Sequence, residues 1–118
     1  MEEKKKDIKE RSFEFAVRII KFVQKLPKNH AGFKLGGELL DASTSIGANI
    51  EEATGGFSKK DFTHKMGIAL KEARESNYWL RLIKVSELAK SDELDQLLNE
   101  SEELRKILTS IVKTSKGQ

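Results

Sequence analysis

The sequence contains no cysteine, only one proline and no long apolar run. Without cysteine, the chain cannot form a disulfide scaffold, a thiolate metal site or a cysteine nucleophile. No apolar segment approaches the length that spans a bilayer, and the N-terminal segment MEEKKKDIKER lacks the apolar core of a signal peptide. These absences predict a cytoplasmic protein that has no membrane partner.

The chain is rich in charge, with 35% charged and 37% hydrophobic residues among its 118 residues. This composition is typical of a helical, folded protein and not of a disordered or fibrous one. A second domain would be too small to bury its own core, so we expect one domain over residues 1–118.

Apolar residues recur at three- and four-residue steps in four segments, which predict helices at about 7–26, 35–54, 59–90 and 92–114. Pro27 should end the first helix, and a left-handed turn at Gly55-Gly56 should end the second. Ser58 and Ser91 should cap the third and fourth. Four amphipathic helices with short connectors predict an all-α fold, an antiparallel up-down four-helix bundle.

Polar residues lie on or beside the faces of the second and third helices that should be packed. Ser45, Asn49 and Glu52 share one edge of the second helix, and Glu72 and Glu75 lie on a face of the third. We call these five residues the polar band. One interpretation is a ligand or RNA-contact site. The other is a set of polar groups that fix helix register and subunit number.

The third helix also has a second apolar face beside its core stripe. A helix in an isolated bundle needs one apolar face, so the surplus predicts burial against another subunit. The predicted subunit interface consists of Ile68, Tyr78, Trp79, Leu82 and Val85.

Charge is unevenly distributed along the chain. Residues 15–37 contain five basic residues and no acid, whereas residues 91–104 contain six acids and no base. The basic residues could follow a nucleic-acid backbone. Alternatively they are a solvated face, or a basic first helix pairs with an acidic fourth helix in the same or a neighbouring subunit. We call this set the basic strip: Arg18, Lys21, Lys25, Lys28 and Lys34.

The sequence offers little for catalysis. Glu72 and Glu75 lack the Glu-x-x-His pairing of metal sites in helical bundles, and no GxSxG motif is present. The two glycine pairs lack the spacing of phosphate-binding loops. We therefore predict no catalytic residue, no metal, no cofactor and no small-molecule substrate. The alternative hypothesis is an enzyme or metal protein in which Glu72 and Glu75 form the site.

Three blocks carry a family resemblance: ASTSIGANIEEATGG, SKKDFTHKMGIALKEARE and the following YWLRL. They resemble the four-helix bundle family encoded by intervening sequences of bacterial 23S rRNA genes, and the resemblance covers about residues 13–88. It implies an up-down bundle that assembles into a ring, commonly a pentamer, with no established enzymatic activity. A related group, the accessory proteins of diversity-generating retroelements, is thought to bind RNA and a reverse transcriptase. Ala53 stands where many members have glycine.

The residues and the resemblance together predict a non-enzymatic, ring-forming homo-oligomer. Its expected partner is RNA or a nucleic-acid-handling protein, bound through the basic surface. The alternative is a purely structural or protein-binding oligomer with no nucleic-acid role.

Overall fold

A computed structural model describes residues 7–117 and contains four helices: α1 (Ile8–Val23), α2 (His30–Thr54), α3 (Lys59–Val85) and α4 (Asp92–Lys116). Each helix begins at a side chain that accepts a hydrogen bond from a backbone N–H of the first turn. The caps are Asp7, Asn29, Ser58 and Ser91. Such caps satisfy backbone donors that have no partner within the helix. The two predicted serine caps are confirmed.

The four helices form an antiparallel up-down bundle, as predicted. Each helix packs against its neighbour in sequence, and α1 also packs against α4. The diagonal pairs, α1 with α3 and α2 with α4, make no close backbone contact within residues 7–117. All four helices contribute to one core, whose largest fully buried side chains are Phe15, Ile19, Leu39, Ile46, Ile50, Met66, Leu80, Ile83, Leu94, Leu97, Leu104 and Leu108.

The connector between α1 and α2 is shorter than predicted. Helix α1 ends at Val23 and not at residue 26, because Pro27 tightens the last turn into hydrogen bonds between residues three apart. Helix α2 begins at His30 and not at residue 35. Gly32, Gly36 and Gly37 lie inside α2, and the first two permit close packing. A Cβ on Gly36 would lie 3.1 Å from Val23 Cγ1 and 3.2 Å from Leu26 Cδ1.

Helix α3 ends at Val85 and not at residue 90. Glu87 adopts a left-handed conformation with φ of 62°, which reverses the chain. The N–H of Glu87 donates to Lys84 O, and that of Leu88 donates to Ile83 O. This pair of bonds is the Schellman motif, which usually has glycine at the left-handed position. Since glutamate occupies it here, the sequence offered no stop signal and the helix was predicted too long.

The end of α2 was predicted correctly in position but not in conformation. No glycine in residues 7–117 has a positive φ, and Gly55 has φ of −88°. Gly56 is instead required for space, since a Cβ there would lie 2.8 Å from Ala53 O and 3.1 Å from Asp61 Oδ2. Helix α4 continues two residues beyond the predicted end, to Lys116. None of the helices is long and apolar enough to cross a bilayer, judged over the described part of the chain.

Candidate functional site

Two residues of the basic strip, Arg18 and Lys25, contact α4, and a third, Lys34, is paired within α2. Arg18 Nη2 donates to Gln96 Oε1 at 3.0 Å, and Lys25 Nζ lies 3.3 Å from Glu93 Oε1. Lys34 Nζ pairs with Glu38 within α2 at 3.0 Å. Lys21 and Lys28 are exposed and make no ion pair with any described residue. A nucleic-acid role for the strip stays a prediction, and two of its five residues are free for it.

The strongest polar contact between α1 and α4 involves Arg11, which the sequence did not single out. Arg11 Nε donates to Glu100 Oε2 at 3.0 Å, and Nη2 donates to Glu100 Oε1 at 2.7 Å. Both side chains are less than a third exposed, at 27% and 22%. The hydrogen bond to Glu100 raises the pKa of Arg11, although burial opposes this. The opposite charges of the first and fourth helices therefore meet within one chain.

The polar band follows the boundary between α2 and α3. Ser45 Oγ donates to Asp41 O, and Asn49 Nδ2 donates to Ser45 O, each at 2.8 Å. Glu52 lies 2.9 Å from Lys65 Nζ, and this hydrogen bond raises the pKa of Lys65. The α2 members of the band thus bond within their own helix or to α3. Whether they set subunit register stays a prediction.

The α3 members of the polar band line a depression of about 210 Å³, together with Glu38, Asp41 and Trp79. The pKa of Glu72 is raised to about 7, first by burial and then by its hydrogen bond with Glu75. The negative charges of Glu75 and Asp41 add to this effect, whereas Lys71 opposes it. No group of three or more histidine or acidic side chains in residues 7–117 is placed to hold a metal ion. The depression is therefore a site of carboxylate crowding.

Glu72 should make folding stability depend on pH. Its pKa of about 7 in the folded state exceeds the ordinary value of 4.5, so this group favours the folded state at low pH. That contribution is lost as the pH rises from 4.5 to about 7. We expect Glu72→Gln to raise the free energy of unfolding at pH 8 by about 1 kcal/mol, discounted for solvent screening, and to change it little at pH 4. Urea unfolding at both pH values measures this.

Glu103→Gln is the matched control, because Glu103 is exposed and its ion pair with Lys106 is exposed as well. It should change stability little at either pH. Equal effects of the two substitutions at pH 8 would contradict the crowding interpretation.

The predicted interface on α3 is partly covered by the chain itself. Trp79 packs against the core, and Ile68 and Leu82 are half-buried. Tyr78 and Val85 remain exposed, at 46% and 82%. The Tyr78 ring meets the Trp79 ring edge-on at 5.1 Å, and Arg81 lies 5.6 Å from its centre. We call Tyr78, Leu82 and Val85 the outer α3 patch.

Sequence reasoning missed an apolar face on α1. Phe13, Val17 and Ile20 are exposed, and Phe13 most of all, at 66%. Their spacing of four and three residues places them in one line, opposite the core line of Phe15 and Ile19. We call these three residues the outer α1 stripe. The steps of four and three residues in the sequence are the signal that could have revealed this stripe.

Comparison with known proteins agrees with this architecture. Residues 4–110 match the family described as 23S rRNA-intervening sequence protein. Among solved structures, the chain is similar to a protein of unknown function from the S23 ribosomal protein family of Bacteroides thetaiotaomicron VPI-5482. The two share 41% sequence identity with a TM-score of 0.84, over 91% of this chain and 99% of that one. No curated protein matches the chain.

Proposed function

The chain belongs to the family of 23S rRNA-intervening sequence proteins, and from that premise we propose that it is a non-enzymatic bundle that assembles into a ring and binds RNA. The observation that carries the assembly is the presence of two separate exposed apolar surfaces, the outer α1 stripe and the outer α3 patch. A monomeric protein rarely exposes contiguous apolar surface without a use for it.

The positions of the two surfaces favour a ring over a two-fold dimer. Helices α1 and α3 are diagonal in the bundle, so their outward faces point in opposite directions. If the stripe of one copy packs on the patch of the next, the contact is head-to-tail. Such contacts produce a ring when the rotation between copies closes, and a filament when it does not. The family resemblance favours five copies.

Two substitutions test the assembly, one on each surface. Val17→Glu places a charge in the outer α1 stripe, and Val85→Glu places one in the outer α3 patch. Each should convert the ring into monomers, because a buried unpaired carboxylate costs several kcal/mol per contact. Ala48→Glu on the exposed outer face of α2 is the control and should leave subunit number unchanged. Light scattering after size exclusion measures the mass, and circular dichroism checks that the helices remain.

Mixing the two variants distinguishes the kinds of contact. The Val17→Glu variant keeps an intact outer α3 patch, and the Val85→Glu variant keeps an intact outer α1 stripe. In a head-to-tail assembly, the mixture should therefore form one-to-one dimers that cannot add further copies. If instead the stripe packs on the stripe of another molecule, and the patch on the patch of another molecule, either variant alone should form a dimer. A wild-type protein that is monomeric at micromolar concentration would contradict the ring altogether.

The RNA-binding part is supported by the family and by the excess of basic charge, with a net charge of +3. A ring would repeat every basic side chain around its axis, and linked copies bind more tightly than a single one. Affinity for a labelled oligoribonucleotide of mixed sequence should fall steeply as salt rises. Undetectable binding at low salt would leave the purely structural oligomer as the function. The relation to the accessory proteins of retroelements stays a prediction.

A further inference from the structure

Several lysines lie at the end of the bundle where α3 begins and α4 ends. Lys59, Lys60, His64 and Lys116 lie together around one open depression of about 460 Å³. No carboxylate of residues 7–117 lies within 4.0 Å of these three lysines, whereas Lys25 and Lys34 of the basic strip are paired. The sequence after residue 103 contains no acid. Lys59, Lys60 and Lys116 therefore carry positive charge that no described carboxylate pairs directly.

Two of these lysines stand where they disfavour the helix. Lys59 and Lys60 occupy the first turn of α3, where the positive end of the helix dipole repels cations. Helix α3 has one acid in its first turn, Asp61, whereas α4 has three, Asp92, Glu93 and Asp95. A local arrangement that opposes folding is expected where residues serve a function. The charge at this end is thus better explained by a ligand than by stability.

One exposed aromatic side chain and two half-buried apolar ones lie near the basic depression. Phe57 lies two residues before Lys59 and is completely exposed, at 100%. A second depression of about 370 Å³ lies between α3 and α4, lined by Phe62 and Ile111, and Lys59 borders both depressions. The hydroxyls of Thr63 and Ser115 hydrogen-bond across the same boundary. Cationic side chains beside aromatic ones are the pattern with which proteins hold single strands, since phosphates meet the cations and bases stack on the rings.

We propose that this end of the bundle, formed by Phe57, Lys59, Lys60, His64 and Lys116, binds single-stranded RNA. The inference rests on the proposed RNA-binding function and places the contact here and not on the basic strip. The cations hold successive phosphates, and Phe57 and the groove beside Phe62 receive unpaired bases. A duplex fits poorly, because its bases are stacked on one another and closed to an aromatic side chain. In a ring built side by side, every copy presents this end on the same face.

Charge-neutralising variants of the full chain test the location. The end variant combines Lys59→Gln, Lys60→Gln and Lys116→Gln, and the strip variant combines Lys21→Gln, Lys28→Gln and Lys34→Gln. Both remove three charges. Fluorescence anisotropy with a labelled single-stranded oligoribonucleotide of mixed sequence should show about tenfold weaker binding for the end variant, with a salt slope reduced by about 2. The strip variant should bind within about twofold of the wild type. Light scattering confirms that subunit number is equal.

Phe57→Ala separates stacking from charge. It should weaken binding to the single strand by roughly tenfold without changing the salt slope, since no phosphate contact is lost. A matched duplex should bind the wild type more weakly and be insensitive to this substitution.

The outcomes separate this inference from the proposed function. If the wild type binds and the strip variant is weakened as much as the end variant or more, RNA binding stands and the location is wrong. If the duplex binds as well as the single strand and Phe57→Ala has no effect, the single-strand preference is wrong. If the wild type does not bind at low salt, the proposed RNA function fails and this inference fails with it.

Discussion

Gly32→Ala should lower the free energy of unfolding by about 3 kcal/mol, at the upper end of what overpacking costs. Gly32 is buried in the first turn of α2, beneath the chain that returns from α1. A Cβ there would lie 1.8 Å from Pro27 O and 2.9 Å from Pro27 C. Both are backbone atoms, so no side-chain rotation can relieve the overlap and the connector must move. The N-cap bond from Gly32 N–H to Asn29 Oδ1, at 2.8 Å, would be disturbed as well.

Gly37→Ala is the control within the same helix. Gly37 is exposed, and nothing lies within 4 Å of the position of its Cβ. Alanine should stabilise α2 there by about 0.5–1 kcal/mol, because it restricts the unfolded chain and favours the helix. Urea unfolding compares the free energies of the two variants, and thermal unfolding should show a difference in melting temperature of roughly 10 °C or more. If Gly32→Ala is as stable as the wild type, the connector can shift away from the added methyl group at little cost, which would contradict this prediction.

These glycines show where prediction from sequence succeeded and failed. The existence of four helices followed from apolar spacing, because burial of one face dominates helix stability in a bundle. The start of α2 could not be predicted in the same way. Glycine is also typical of loops, and the sequence does not show which residues pack against it. Gly32 and Gly36 are explained only by the atoms of Pro27, Val23 and Leu26 opposite them. Space against another helix is a tertiary property that no local pattern encodes.

The candidate site shows the same division. Sequence placed Glu72 and Glu75 beside a packed face, and the structure brings Glu38 and Asp41 from α2 to the same depression. The pKa of Glu72 is raised mainly by burial and by Glu75 in the same helix, and Asp41 of α2 adds a smaller effect. Spacing along α3 could reveal the carboxylate pair but not its burial. Lys59 and Lys60 stand in the sequence as two basic residues after the cap Ser58. Their association with Lys116 requires knowing that α3 begins where α4 ends.

The sequence shows which segments are basic and which are acidic, but not what each segment pairs with. A basic segment followed by an acidic one is compatible with RNA binding, with pairing inside the chain and with pairing between subunits. In the structure, Arg11 of α1 pairs with Glu100 of α4. Lys25, which lies just after α1, pairs with Glu93 of α4. Helices α1 and α4 share the least extensive of the four helix contacts. Electrostatic bonds therefore join α1 and α4 at the boundary where the helix backbones make the fewest close approaches.

Arg11→Met tests this closure and should lower the free energy of unfolding by about 2 kcal/mol. The substitution keeps most of the apolar volume but removes two hydrogen bonds to Glu100, which is only 22% exposed. The carboxylate then loses its partner without regaining full hydration. Replacing both residues, as Arg11→Met with Glu100→Leu, should recover most of the loss, because no charge is left unpaired. Chemical unfolding of the single and double variants measures both effects.

Lys106→Met is the matched control on α4. Its pair with Glu103 is longer, at 3.6 Å, and both side chains are exposed. Such pairs contribute little, so the loss should stay under about 0.5 kcal/mol. If Arg11→Met costs no more than Lys106→Met, the two-bond contact with Glu100 does not close the bundle. The opposite charges of the first and fourth helices would then be a solvated surface, and Arg11, Arg18 and Lys25 would be as free as Lys21 to contact RNA.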